Sequence, residues 1–170
     1  MSAFILSQVL ISIAIVFDLA SFQFKHRKHI VGCLCFSGVL ISTHFVLLEQ
    51  WTAAGLMAIA TTRYFLSVFT TSKRVMVMFI ISAVVVTVFT FSGIISLISL
   101  VGTVFQTIAS FTQDDKKLRQ LMIIGTSFWL LHNYLVGSPA AVVMEILFIS
   151  SNVIGYYRYY IKPDKKQTLA

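Results

Sequence analysis

The sequence predicts an all-α integral membrane protein. Seven transmembrane helices are expected, as two parallel three-helix repeats joined by a linker helix (3+1+3). Three observations predict this. First, 58% of the 170 residues are hydrophobic and only 11% are charged, where a soluble domain carries roughly 25% charged residues. The mean hydropathy of +0.89 points the same way. Second, the basic residues gather in short caps between apolar runs, on alternate loops. Third, short segments recur at a spacing of 88 or 89 residues.

The elements follow in order. A first span runs from about Ala3 to Phe22. It reads as an uncleaved span, because no basic segment precedes it, Asp18 sits within it and the basic cluster follows it. Gln23 to His29 holds Lys25, Arg27 and Lys28 and cannot stay in hydrocarbon. A second span covers about Ile30 to Leu48, and Glu49-Gln50-Trp51 makes the turn. The third covers Thr52 to about Thr70 and contains Arg63; Ser72-Lys73-Arg74 is the next basic cap. From Val75 to Phe111 the chain has no charge for 37 residues, well beyond the ~20 that one span needs. Two spans must share it, with Ser92-Gly93 as the turn between them. Gln113 to Arg119 caps the fifth span. The sixth runs from about Gln120 to Val136, and the seventh from about Ala140 to Tyr160. The whole chain, 1–170, is then a single membrane domain. Repeat 1 covers about 3–72, the linker helix about 75–91, repeat 2 about 93–160 and a cytoplasmic tail 161–170.

Charge sets the expected orientation. Lys and Arg fall in the first, third and fifth loops and in the tail, whereas the even loops have none. Seven spans therefore satisfy the positive-inside rule, with the N-terminus outside and the C-terminus in the cytoplasm. The expected location is a bacterial inner (plasma) membrane, crossed several times. The net charge of +7 is topological charge of this kind, and no nucleic acid is expected as partner. Cys33 and Cys35 lie in an apolar run, so buried thiols are expected in place of a disulfide framework or a zinc site. Catalytic patterns are missing, the loops are short, and neither an enzyme nor a cofactor is expected.

The repeat rests on several coincidences. Val16-Phe17 recurs as Val104-Phe105, and Ala20-Ser21-Phe22 as Ala109-Ser110-Phe111. Both copies run into a basic cap. His44 and His132 are 88 apart, and the turns at Glu49 to Trp51 and at Gly137 to Pro139 coincide. Spans one to three then match spans five to seven. An odd linker gives the two halves the same orientation, about an axis along the membrane normal.

The segment from Ser21 to Lys28 and the hairpin from Trp129 to Arg158 resemble YgjV-type bacterial inner-membrane proteins. With three spans, a linker and three spans in about this length, the chain also resembles the SWEET and PQ-loop superfamily of small-solute carriers. The resemblance implies two three-helix bundles around a central cavity and solute passage by alternating exposure. SWEET carriers have a Trp-x-x-Tyr pattern in the sixth span, and Trp129-Leu130-Leu131-His132 is similar to it with His in place of Tyr. Where those carriers place an Asn in the seventh span, this chain has Glu145, and its own Asn is Asn152. The Pro-Gln pair that names PQ-loop proteins is absent, and the prolines, Pro139 and Pro163, lie outside helix interiors.

Polar groups within spans mark the candidate site, because each costs several kcal/mol in hydrocarbon unless paired. Glu145 and Asn152 lie seven residues apart, on one helical face. Glu145 is either a solute or proton site or half of a structural pair. The mates of these two in the first half are Met57 and Tyr64, the latter beside Arg63. Arg63 is expected to snorkel to the headgroups, and Asp18 to pair with Lys25 or Arg27. His44 and His132 are expected to bond between helices before they bind metal. Asn133 is expected to satisfy backbone at the outer turn. Trp51 and the tyrosines from Tyr156 to Tyr160 are interface anchors. The expected substrate-binding set is Trp129, His132, Glu145, Asn152, Arg63 and Tyr64, with no metal. The expected function is transport of a small polar solute. The alternative is a non-transporting membrane component that binds lipid or a partner protein. Besides the lipid bilayer and the solute, a homo-oligomer is a compatible partner state.

Overall fold

A computed structural model describes residues 2–21 and 27–161. Among the described residues there are seven α-helices and no strand: α1 (Ala3–Ser21), α2 (Arg27–Leu47), α3 (Trp51–Ser67), α4 (Lys73–Phe89), α5 (Ile94–Ser110), α6 (Asp115–Val136) and α7 (Pro139–Tyr156). A π-helical turn, Tyr157–Ile161, continues α7. The expected spans fall on these helices, one for one. Residues 22–26, which hold most of the first basic cap, and the tail 162–170 lie outside the described residues, and the rest of that cap, from Arg27, opens α2.

The helix ends follow from local chemistry. The Asp114 side chain accepts hydrogen bonds from the backbone N–H groups of Lys116 and Lys117. This N-cap satisfies donors that the first turn leaves orphaned. It draws the third basic cap into α6, about one turn ahead of the expected start. Gly93 precedes α5 with φ 102°, and Gly137 ends α6 in the left-handed region with φ 74°. Glycine carries no Cβ to oppose these angles. Pro139 opens α7, where its missing N–H costs nothing. Glu49 ends α2 with φ 57°, the non-glycine residue of positive φ among those described.

The helices pack as a ring. α1 lies along α2 and α2 along α3, while α5 lies along α6 and α6 along α7. The ring closes through two narrower seams, α3 against α5 and α1 against α7. α4 rests on α3 and α5 from outside. At the α5–α6 crossing two glycines let the backbones meet. A Cβ on Gly102 would stand 3.0 Å from the carbonyl oxygen of Gly125, and one on Gly125 would stand 2.9 Å from that of Gly102. Such close approach through small residues is how helices associate where no hydrophobic force drives them.

The surface is apolar and much of the interior polar. α4 exposes Val77, Met78, Ile81, Val84, Val85 and Val88, and Phe89 is 84% exposed. Buried instead are Asp18, His44, Arg63, His132, Asn133 and Glu145, with many Ser and Thr residues. This is the reverse of a solvated protein and is what a hydrocarbon surround selects. α1 and α7 are long and apolar enough to cross a membrane by length and composition, and shorter apolar stretches lie in α2 and α5.

Candidate functional site

The centre of the ring is an aromatic plug between α2 and α6. The Phe45 ring lies 5.6 Å from that of Trp129 and 5.5 Å from that of His132, and Trp129 meets His132 edge-on at 5.3 Å. All three are buried, and Ile11, Leu56, Ala83, Ala141 and Met144 pack in the same cluster. Trp129 and His132, both expected site residues, are thus brought together inside a packed core.

The two histidines are held alike. His44 Nδ1 donates to the Ser7 carbonyl at 2.9 Å, and His132 Nδ1 donates to the Ile95 carbonyl at 3.4 Å. A carbonyl can only accept, so the partner fixes the Nδ1–H tautomer in each. Both bonds join helices, as expected. His44 Nε2 then accepts from the Ser138 hydroxyl at 3.3 Å. His132 Nε2 has no hydrogen-bond partner among the described residues.

At the end of the bundle that carries residue 2, hydrogen bonds close both seams. Across α1 and α7, Gln8 Oε1 accepts from Ala140 N at 3.2 Å, and Gln8 Nε2 donates to Ser138 Oγ at 3.3 Å. Across α3 and α5, the Ser96 and Thr52 hydroxyls meet at 2.9 Å. Thr52 gives its own hydrogen to the Thr90 carbonyl at 2.7 Å, so Ser96 is the donor of that pair. The sequence marks Ser138 as part of a turn only, and Gln8 and Ser96 not at all. The signal that marks Gln8 is its amide, which stands in the first turns of an apolar span.

At the other end the seams differ. Arg63 is fully buried between α3 and α5 and does not snorkel. Its Nη1 donates to Thr107 Oγ1 at 2.7 Å and lies 3.4 Å from the Thr103 carbonyl. The guanidinium also stands over the Tyr64 ring, 4.7 Å from its centre, a cation–π contact. Tyr64 and Arg63 are therefore one unit. Snorkelling fails because Thr103 and Thr107 sit one turn apart on α5 and offer interior acceptors at the depth of Arg63. That spacing was visible in the sequence, but its partner helix was not.

Between α1 and α7 the same end holds a crevice of about 360 Å³. Ile15, Asp18 and Leu19 line one side, and Met144, Leu147, Phe148, Ser150, Ser151 and Ile154 line the other. Asp18 is buried at its wall and lies beside Ser37 of α2. The expected partners of Asp18, Lys25 and the side chain of Arg27, lie outside the described residues.

Glu145 and Asn152 are not brought to a common contact. Glu145 is buried and accepts from Asn133 Nδ2 at 3.3 Å. Asn152 turns back to its own helix, donating to the Phe148 carbonyl at 3.0 Å. The Asn133 side chain thus serves a side chain and not the backbone of the turn after α6. Trp51 and Tyr157 are both more than half exposed, as anchors at an interface would be. Among the described residues no cluster of His, Cys, Asp and Glu is suited to hold a metal.

Comparison with known proteins fixes the family. Residues 5–162 match the sequence profile of the Imp-YgjV family, described as bacterial inner membrane protein. The chain is similar to inner membrane protein YgjV of Escherichia coli (strain K12), at 25% identity over 160 residues, which cover 94% of this chain and 87% of that protein. No solved structure matches. An apolar outer surface, buried polar seams and a family match over nearly the whole length agree, and the chain belongs to the YgjV family of bacterial inner membrane proteins.

Proposed function

We propose that the chain is a non-enzymatic, SWEET-like carrier that passes a small polar solute between two three-helix halves, α1–α3 and α5–α7, with α4 as linker. The reading takes the N-terminus as external and the C-terminus as cytoplasmic, from the distribution of basic caps. One observation carries it. Both seams between the halves are hydrogen-bonded at the N-terminal end, while one of them gapes at the basic end. A carrier that exposes its interior to one side at a time needs such an asymmetry between its ends.

The equivalence of the halves has its own support. Ser7 and Ile95, and the histidines they hold, are each 88 apart in the chain. Both histidine bonds span 37 residues. Glu49 and Gly137, the left-handed ends of α2 and α6, are also 88 apart, as are Gln8 and Ser96, and Thr52 and Ala140. Repetition of backbone angles and tertiary hydrogen bonds at one offset is stronger support than short sequence identities.

The test is solute uptake into proteoliposomes, with Gln8→Cys and Ala140→Cys placed in a chain whose Cys33 and Cys35 are Ser. Oxidation of the pair should arrest uptake and reduction restore it. Uptake that continues through the locked seam would refute alternating exposure there. The second reading, a non-transporting membrane component, is favoured by the packed Phe45–Trp129–His132 centre. It expects no uptake of any solute tried.

A further inference from the structure

We propose that the groove between α6 and α7, at the basic end of the bundle, binds one anionic phospholipid. The groove has a volume of about 560 Å³. Lys117, Gln120, Leu121, Ile123 and Ile124 of α6 line it, with Tyr156 of α7. Lys117, Gln120, Leu121 and Ile124 stand at i, i+3, i+4 and i+7 and so share one face of α6. Their order along the helix is a cation, an amide and then aliphatic side chains. A phospholipid presents the matching order: a phosphate, ester carbonyls and then hydrocarbon.

The polar groups suit a phosphate. The Lys117 side chain is 71% exposed, and its Nζ stands 3.9 Å from Asp114 Oδ2. So long a surface pair is weak, and a phosphate can displace it. The other Asp114 oxygen is held by the backbone N–H groups of Lys116 and Lys117. Gln120 Nε2 donates to the Tyr156 hydroxyl at 3.2 Å. That bond ties the two walls together and does not consume the phenol hydrogen. Arg119 lies over Gly155, where a Cβ would meet its guanidinium, so a second cation stands in the α6–α7 seam. No Asp or Glu is among the lining residues. Basic residues at the mouth of an interhelical groove select anionic headgroups in this way, and a choline headgroup would bring a second ammonium against Lys117. The lower wall decides for a lipid over a soluble phosphate ester. Ile124 is 42% exposed on the apolar outer surface, so chains that pass Leu121 and Ile123 continue into the bilayer. The groove along α1 at the opposite end, from Phe4 to Val16, is lined by no Lys or Arg and offers a headgroup no such charge.

The site does not depend on transport, and lipid binding reads it separately from uptake. The experiment is native mass spectrometry of the full chain, delipidated in detergent and titrated with dioleoylphosphatidylglycerol or dioleoylphosphatidylcholine. The first phosphatidylglycerol should bind about 10-fold tighter than phosphatidylcholine, the scale of one charge-assisted contact. Lys117→Gln should remove most of that preference. Leu121→Trp fills the groove, leaves the cation in place and should lose the bound lipid. Lys73→Gln makes the same charge change at the start of α4 and should keep both affinity and preference. Equal affinity for the two lipids would overturn the proposal. So would an equal loss in Lys73→Gln, which would mark the ordinary attraction of basic caps to an anionic surface. Release of the bound lipid by inorganic phosphate would also overturn it, by marking a site for free phosphate.

Discussion

Asn133 donates to Glu145 across 3.3 Å, and the two side chains tie α6 to α7 inside the bundle. Asn133 is fully buried and its Oδ1 has no hydrogen-bond partner among the described residues. The pair is thus a structural brace first. Glu145→Gln keeps an acceptor oxygen in place and should leave thermal stability in detergent within about 1 kcal/mol. Glu145→Leu strands the Asn133 amide and should cost about 1–3 kcal/mol. Equal melting temperatures for the two variants would show that the brace does not hold α6 to α7.

Arg63 gives a sharper contrast. It is buried with Thr107 and the Thr103 carbonyl as acceptors, and no carboxylate of the described residues lies within ion-pair distance. Its Nε and Nη2 have no hydrogen-bond partner among those residues. Replacing a buried charge by an apolar residue of similar volume is often neutral or stabilising, by about 1–4 kcal/mol. Arg63→Met should therefore melt at or above the parent temperature. Thr107→Val leaves the cation in place and removes its shortest bond, which should cost about 1.5–3 kcal/mol. Thermal unfolding in one detergent decides the order; a stable Thr107→Val beside an unstable Arg63→Met would reverse the account.

The glycine crossing predicts a spectroscopic change. A Cβ on Gly102 would meet Trp129 Cδ1 at 2.9 Å as well as the Gly125 carbonyl at 3.0 Å. Gly102→Ala should force α5 from α6 at a cost of about 1–3 kcal/mol. In a Trp51→Phe background, Trp129 fluorescence should shift as its buried ring moves. An unchanged spectrum and melting point would show that the crossing has slack.

The paired turns predict opposite effects of one residue type. A left-handed angle costs an L-residue about 1–2 kcal/mol. Gly137→Ala should lose about that much, while Glu49→Gly should gain about 0.5–1 kcal/mol after the entropy of the added glycine. Denaturation midpoints measured side by side check both signs.

Much of the fold was legible because hydrocarbon imposes length and forbids charge. The charge-free run from Val75 to Phe111 had to break once, and it breaks at Gly93, where φ is 102°. The early start of α6 was not legible, because Asp114 acts through backbone donors that apolar periodicity ignores. Of the site, sequence reasoning found the unusual residues but not their partners. Glu145 and Asn152 share a helical face, yet each is claimed by a nearer group, Asn133 and the Phe148 carbonyl. Arg63 meets Thr107 across 44 residues, and Ser138 meets His44 across 94. Spacing within one helix does not reveal such partners, because they depend on which helices become neighbours.

The bond from Arg63 to Thr107 also limits how the bundle can deform. The α3–α5 seam cannot part without stripping a buried guanidinium of its acceptors. In the proposed two-half carrier, relative motion of the halves would then be reduced to one rotation, as in a book with its spine along α3 and α5 and its fore-edge along α1 and α7. A single distance across that fore-edge, from Leu19 to Ile154, would report the whole coordinate, and the spine would stay still.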